Sequence, residues 1–301
     1  MANKTITATI KHRQATAATW ESKNPVLAAG EFGYDTTNKI TKIGDGSTPW
    51  NTLPFFATTD LSFAKSSWAQ IAALSESGTA KTYFSVGDEK TIELTTGEEI
   101  TLVILGFNHD DLTGGGKAGI TIGMKNLLAT TYRMNATSTN AGGWNNSQMR
   151  TSTMATLLSQ LPADLRNVVK QVNKKATAGG TSQSITTSAD KLFLLAMSEI
   201  FSATSIENSA TSTIADYADA YNAEGTQYEY YRNLIGDNNG GTTANANLIK
   251  KLSNGGGSAN GWWLRSPYVS GSTSFRCIYS TGSDNYTNAN YTYGVSFGFC
   301  V

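Results

Sequence analysis

The chain has 301 residues, 39% of them hydrophobic and 15% charged, with 23 basic residues against 23 acidic ones. That length exceeds the usual size of one domain, so two unequal domains are expected. The balanced charge argues against a nucleic-acid binder, which would normally show a basic stripe, and no apolar run approaches the roughly 18 residues that a membrane-spanning helix needs. The two cysteines, Cys277 and Cys300, are too few for a disulfide scaffold. They read as buried thiols, with pairing open to them only if they fall on neighbouring strands.

The first residues, Met1 to Thr7, lack the apolar stretch and small-residue cleavage site of a signal peptide, so synthesis in a cytoplasm is expected. Residues 1–58 read as short strands and turns. The spacing predicts a short helix over 15–23, stopped by Asn24-Pro25, and the alternation of Lys39 to Ile43 predicts a strand followed by a turn at Gly44-Asp45-Gly46. So little apolar content cannot close a core alone, so the segment either packs on the next domain or trimerises. Thr58-Thr59-Asp60 is the expected joint.

Ser67 to Leu74 reads as an amphipathic helix. A hairpin of 83–88 with 90–94 is predicted next, then a central strand over Ile100 to Phe107. Helices are expected at about 147–160, at 163–174 and at 189–195. Residues 202–260 are mostly polar, with flexible loops at Asn238 to Gly241 and Gly255 to Gly257. Strands return at the end, which makes the class α+β.

The terminal forty residues are the most specific. Gly261-Trp262-Trp263-Leu264-Arg265-Ser266-Pro267 and Tyr293-Gly294-Val295-Ser296-Phe297-Gly298-Phe299-Cys300-Val301 frame a run of Tyr, Ser, Thr, Asn and Gly with almost no aliphatic residue. A rigid frame displaying Tyr with adaptable polar residues is the chemistry of antigen-binding loops. The Trp-Trp-Leu-Arg block reads as scaffold, with Arg265 in an internal ion pair. Tyr286, Asn288, Asn290, Tyr291 and Tyr293 read as exposed. In Phe275 to Tyr279 the two-residue period puts Phe275, Cys277 and Tyr279 on one face and Arg276 and Ile278 on the other, leaving the buried face undecided.

Catalytic and metal readings are weak. Asn108-His109-Asp110-Asp111 holds metal-ligating types but reads as a hydrogen-bonded turn, so no metal or other cofactor is expected. No nucleophile motif flanks His109, and Gly114-Gly115-Gly116-Lys117 lacks the spacing of a phosphate loop. No catalytic residue is assigned, and the protein is expected not to be an enzyme.

The motif Trp20 to Gly33, with Asn24-Pro25-Val26-Leu27 and Gly30-Glu31, followed by Lys42 to Phe55 with Gly44-Asp45-Gly46, Trp50 and Leu53-Pro54, resembles the amino-terminal module of phage tropism determinants and tail fibres. That resemblance implies an intertwined trimeric β-module that attaches to the virion. Residues 66–301 resemble the variable proteins of diversity-generating retroelements, through Gly106 to Asp111, Gly143 to Arg150, Asp190 to Leu195, Glu224 to Tyr231 and the terminal frame. This second resemblance implies a C-type-lectin-like domain over 62–301 whose surface near 268–293 is diversified. It implies ligand contacts from Tyr268, Ser270, Ser272, Thr273, Arg276, Ser283, Asp284, Asn285, Tyr286, Asn288, Asn290, Tyr291 and Tyr293. The motifs of calcium-dependent sugar binding are missing.

The expectation is thus a homotrimeric phage or prophage receptor-binding protein in the virion tail, contacting other tail proteins and a bacterial surface protein or glycan. The rival readings are a structural tail protein without a selected ligand and a relative of formylglycine-generating oxidases.

Overall fold

In the computed structural model, residues 11–54, 56, 61–202, 218–237, 243–253 and 257–301 are described. The joint expected at 58–60 and the loops expected at 238–241 and 255–256 lie outside these residues.

Near the amino terminus, β1 (Arg13–Ala15) runs parallel to β2 (Phe32–Asp35), which pairs antiparallel with β3 (Ile40–Ile43). Between β1 and β2 lies α1 (Ala17–Lys23), capped by the Thr16 hydroxyl on the Thr19 N–H and closed by Asn24 in the left-handed region (φ 38°) before Pro25. Both the helix and its stop follow the sequence expectation. The segment does bury a small core: Trp20 stacks on Trp50 at 3.9 Å and 12°, with Leu27 and Leu53 beside them. Gly33 permits this, since a Cβ there would sit 2.5 Å from the Trp50 ring. Two large apolar side chains stay outside it, Val26 at 48% and Phe56 at 50% exposure.

The second region begins with α2 (Trp68–Glu76), which starts at a capping box in which Ser67 and Gln70 satisfy each other's backbone N–H. It is followed by α3 (Ala80–Tyr83). The predicted 83–88/90–94 hairpin does not form. Tyr83 ends α3, and Ser85 to Asp88 make a turn with Gly87 at φ 94°. β4 (Glu89–Glu93) instead pairs with β5 (Glu99–Phe107), which in turn pairs with β6 (Ile120–Met124).

A middle section follows, with α4 (Gly143–Asn146), a π-helical turn at Met149–Thr153, α5 (Met154–Gln160) and α6 (Ala163–Val168). The helix predicted to reach Lys174 stops at Val168. Residues beyond it join the long hairpin of β7 (Val172–Gly179) and β8 (Ser182–Asp190), where the cross-strand ladder overrides local helix preference. The helix predicted over 189–195 is likewise replaced, by the end of β8 and by β9 (Phe193–Leu194). A short apolar run cannot be told from a buried strand by periodicity alone.

The chain continues through α7 (Met197–Ile200), α8 (Ala218–Asn222) and α9 (Glu229–Ile235) to the short pair β10 (Lys250–Lys251) and β11 (Ala259–Asn260). β12 (Trp262–Pro267), β13 (Ser274–Ile278) and β14 (Asp284–Asn288) then form an antiparallel sheet in that order. Finally β15 (Phe297–Cys300) inserts between β6 and β9, so the main sheet runs β4-β5-β6-β15-β9. The architecture is α+β, with several small sheets around one continuous core of the second region. Trp262, Trp263, Leu264, Phe297 and Phe299 are all in that core, as expected of the terminal frame.

Candidate functional site

The residues between the two terminal blocks form a hairpin on a buried base. Every residue of β12 and β13 is buried, so β14 is the strand of this sheet that meets solvent. The turn before it depends on Gly282 (φ 78°), whose added Cβ would lie 1.9 Å from the Asn245 carbonyl oxygen.

Register explains which side chains show. Arg276 lies opposite Tyr286 and Ile278 opposite Asp284, so Arg276 and Asp284 are diagonal neighbours on one face. They form a buried ion pair, and Arg276 also donates its Nε–H to the Met197 sulfur at 3.1 Å. The Tyr221 and Tyr268 rings cover the Arg276 guanidinium at 5.6 and 6.0 Å. Burial pushes the Asp284 carboxyl up to about 6 despite Arg276 beside it. Arg276, Ser283 and Asp284, expected among the displayed contacts, are therefore inside. The sequence could not show this, because Tyr221 arrives from α8, far away in the chain.

The other expected contacts lie at or near the surface. Ser270, Ser272, Thr273, Tyr286 and Tyr291 are exposed, with Tyr286 at 42% and Tyr291 at 54%, while Tyr268, Asn285, Asn288, Asn290 and Tyr293 are half-buried. Tyr268 and Tyr286 stack face to face, 3.8 Å apart and 6° from parallel. On the opposite face of the sheet, Tyr293 packs on Trp263 (5.1 Å) and near Tyr279 (6.3 Å). Gly261 makes room for that ring, because a Cβ there would meet it at 2.3 Å. A cleft of about 390 Å³ opens at this end, lined by Asn260, Tyr279, Ser280 and Tyr293. Of these four only Tyr293 was expected from sequence. The alternation in 275–279 had placed Tyr279 with Phe275 and Cys277, but nothing local joins β11 to that face.

The loop from Tyr268 to Ser274 is held from below by Asn140, a buried residue remote in sequence. Its side-chain amide donates to the carbonyls of Tyr268, Gly271 and Ser274 at 3.2, 2.7 and 2.7 Å, and its carbonyl accepts from the Gly180 N–H. Tyr221 adds a hydroxyl bond to the Pro267 carbonyl. Asn140 thus fixes a loop whose own Gly and Ser residues specify no shape.

Deeper still lies a charged network. Lys174 donates to Asp110 (2.6 Å), Glu199 (2.5 Å) and the Tyr228 hydroxyl (3.1 Å), and Arg265 forks onto Glu199 at 2.5 and 2.8 Å. Arg265 is in the internal ion pair expected of it. Burial opposes the Asp110 and Glu199 carboxylates, yet Lys174 and Arg265 respectively, with His109 also beside Asp110, hold both below the usual range. Glu224, which accepts from Ser266 and the Thr177 N–H, is pushed up to about 7 by burial. His109 turns outward over this network and bonds Thr226. Among the described residues, no group of three or more His, Cys, Asp or Glu side chains could hold a metal ion. Cys277 and Cys300 are free and buried, and burial raises both thiols far above their usual range.

Residues 119–301 match the model of a family described as a domain of unknown function, DUF6273. Residues 10–48 match the major tropism determinant N-terminal domain. No curated protein and no solved structure matches the chain. No helix among the described residues is long and apolar enough to cross a membrane.

Proposed function

We propose a receptor-binding function in a phage or prophage tail for this chain, which belongs to the DUF6273 family over more than half its length and carries a tropism-determinant module near its amino terminus. The module, residues 1–58, attaches to other tail proteins and gathers three copies. Residues 62–301 form a C-type-lectin-like domain whose β14 surface, diversified by a retroelement, meets a bacterial surface ligand. No catalysis is assigned, consistent with two thiols that burial keeps protonated.

The observation that carries this reading is where large apolar side chains are exposed. Among the described residues they are Val26 and Phe56 on the module, and Tyr286 and Tyr291 on the carboxy-terminal display. Exposed apolar groups on both the module and the display fit two contact surfaces, one for assembly and one for a ligand. Insertion of β15 between β6 and β9 supports the lectin-like reading, since it ties the terminal block to the main sheet while β14 stays at the surface on the buried base of β12 and β13.

The test is adsorption of the full-length chain to a panel of bacterial cells, with and without Tyr286→Ala and Tyr291→Ala. Saturable binding that falls sharply in the variants is expected, because interface tyrosines are frequent hot spots. Equal binding by both proteins, or none to any cell, would refute it.

A further inference from the structure

We infer that the ligand of the β14 surface is an uncharged oligosaccharide, held by tyrosine rings on the two faces of the β12–β14 sheet; this rests on the receptor-binding reading above.

Charge is the first argument. The segments that make the surface, 259–260, 268–273, 279–281 and 285–293, contain no Asp, Glu, Lys, Arg or His. The one ion pair between them, Arg276 with Asp284, is buried and internally matched. These segments themselves offer a charged ligand no countercharge to offset its lost hydration; the flanking cations, Lys251 opposite Ala259 and Arg133 next to Tyr132, belong to neighbouring segments.

The edge of β14 supplies the second argument, because much of it is closed to an added peptide strand. Tyr279 donates its N–H to the Ser283 carbonyl across the turn, so by antiparallel alternation the hydrogen-bonded pairs are Cys277 with Asn285 and Phe275 with Thr287. The backbone groups of Tyr286 and Asn288 then point outward. The Tyr286 N–H is taken by the Asn285 side-chain oxygen at 2.8 Å, its carbonyl receives the Tyr279 hydroxyl at 3.5 Å, and the Asn288 carbonyl accepts from the Tyr291 N–H at 3.0 Å. Strand addition, the main-chain route to binding an extended peptide, has few free partners left.

Shape is the third. Stacking on Tyr268 fixes the Tyr286 ring and leaves its outer side open. On the other face, the cleft of about 390 Å³ between Tyr279 and Tyr293 falls within the roughly 300–1,000 Å³ of small-ligand sites. The cleft rings are fringed by neutral groups of Asn260 and Ser280, and the Asn285 side-chain amide lies beside Tyr286. A pyranose has the matching character, with C–H faces that lie on aromatic rings and a rim of hydroxyls that both donate and accept. Two aromatic stations separated by a strand edge fit more than one sugar ring. Individually weak contacts suffice where several copies bind together.

The experiment uses the full-length chain with two probes: a panel of uncharged di- to hexasaccharides, followed by saturation-transfer NMR and Trp fluorescence, and bacterial envelopes treated with periodate or with protease. Saturable binding of an uncharged oligosaccharide is expected, weakened at least about tenfold by Tyr286→Ala and by Tyr279→Ala. Tyr286→Phe, which keeps the ring, should bind normally, and thermal melts should show all three variants folded. Envelope binding should be lost after periodate and kept after protease. Binding that survives periodate but not protease overturns the oligosaccharide while leaving receptor binding in place. A preference for charged sugars overturns the neutrality argument, and binding to no envelope removes the receptor reading together with this inference.

Discussion

Arg276→Met decides whether the frame and the display have been divided correctly. The substitution keeps much of the apolar stem but leaves the Asp284 carboxylate buried without its ion-pair partner; its other oxygen already lacks a hydrogen bond. Removing one partner of a buried pair costs about 3–5 kcal/mol. The Asp284 carboxyl is raised from 3.8 to about 6 even with Arg276 in place. A raised carboxyl contributes stability below its unfolded value and loses it as pH climbs through the folded value, so the variant should recover part of its loss below about pH 5. Urea unfolding followed by circular dichroism is the assay. With a slope toward the upper end of about 1–3 kcal/mol per molar, the midpoint at pH 7 should fall by about 1–2 M. Asp284→Asn added to Arg276→Met should restore most of it, because the stranded charge is gone. A single variant within about 0.5 kcal/mol of the parent that nevertheless loses ligand binding would refute this account and return Arg276 to the surface.

Trp263→Ala should cost about 3–5 kcal/mol as a buried aromatic, whereas Tyr291→Ala should stay within about 0.5 kcal/mol; thermal melts compare them. Glu224→Gln should flatten the pH dependence of stability. The native carboxyl, raised to about 7, favours folding below about pH 4.5 and gives that contribution up as pH rises toward 7, and urea midpoints across that window measure the difference. Light scattering should find a trimer for the full chain and a shift toward monomer for Val26→Ser combined with Phe56→Ser. A chelator should leave the melting temperature unchanged, since a bound ion would contribute several kcal/mol at saturation.

Much was readable from short-range pattern. The helix over 17–23 and its stop depended on Thr16, Asn24 and Pro25, all adjacent, and the capped helix at Trp68 depended on Ser67 and Gln70. The terminal frame announced itself by its apolar composition and the insert by its wealth of Tyr and polar residues, although Val269, Phe275, Cys277, Ile278 and Ala289 within it join the core. Identity also came from short motifs: the 10–48 match falls on the Asn-Pro-Val-Leu and Gly-Asp-Gly pattern. What the sequence could not decide was partnership across long separations. Lys174 looked helical, yet it lies on β7 and is buried because Asp110, in the turn after β5, and Glu199, on α7, converge on it from 64 and 25 residues away. Arg276 looked like display and is frame because Tyr221 and Asp284 enclose it. Asn140 carries no local signal that sets it apart, and it fixes a loop up to 134 positions further on. Local period and propensity report which way a side chain leaves its own backbone; whether water or a countercharge waits there is settled only when distant segments pack, since burial free energy belongs to the assembled environment and not to the residue.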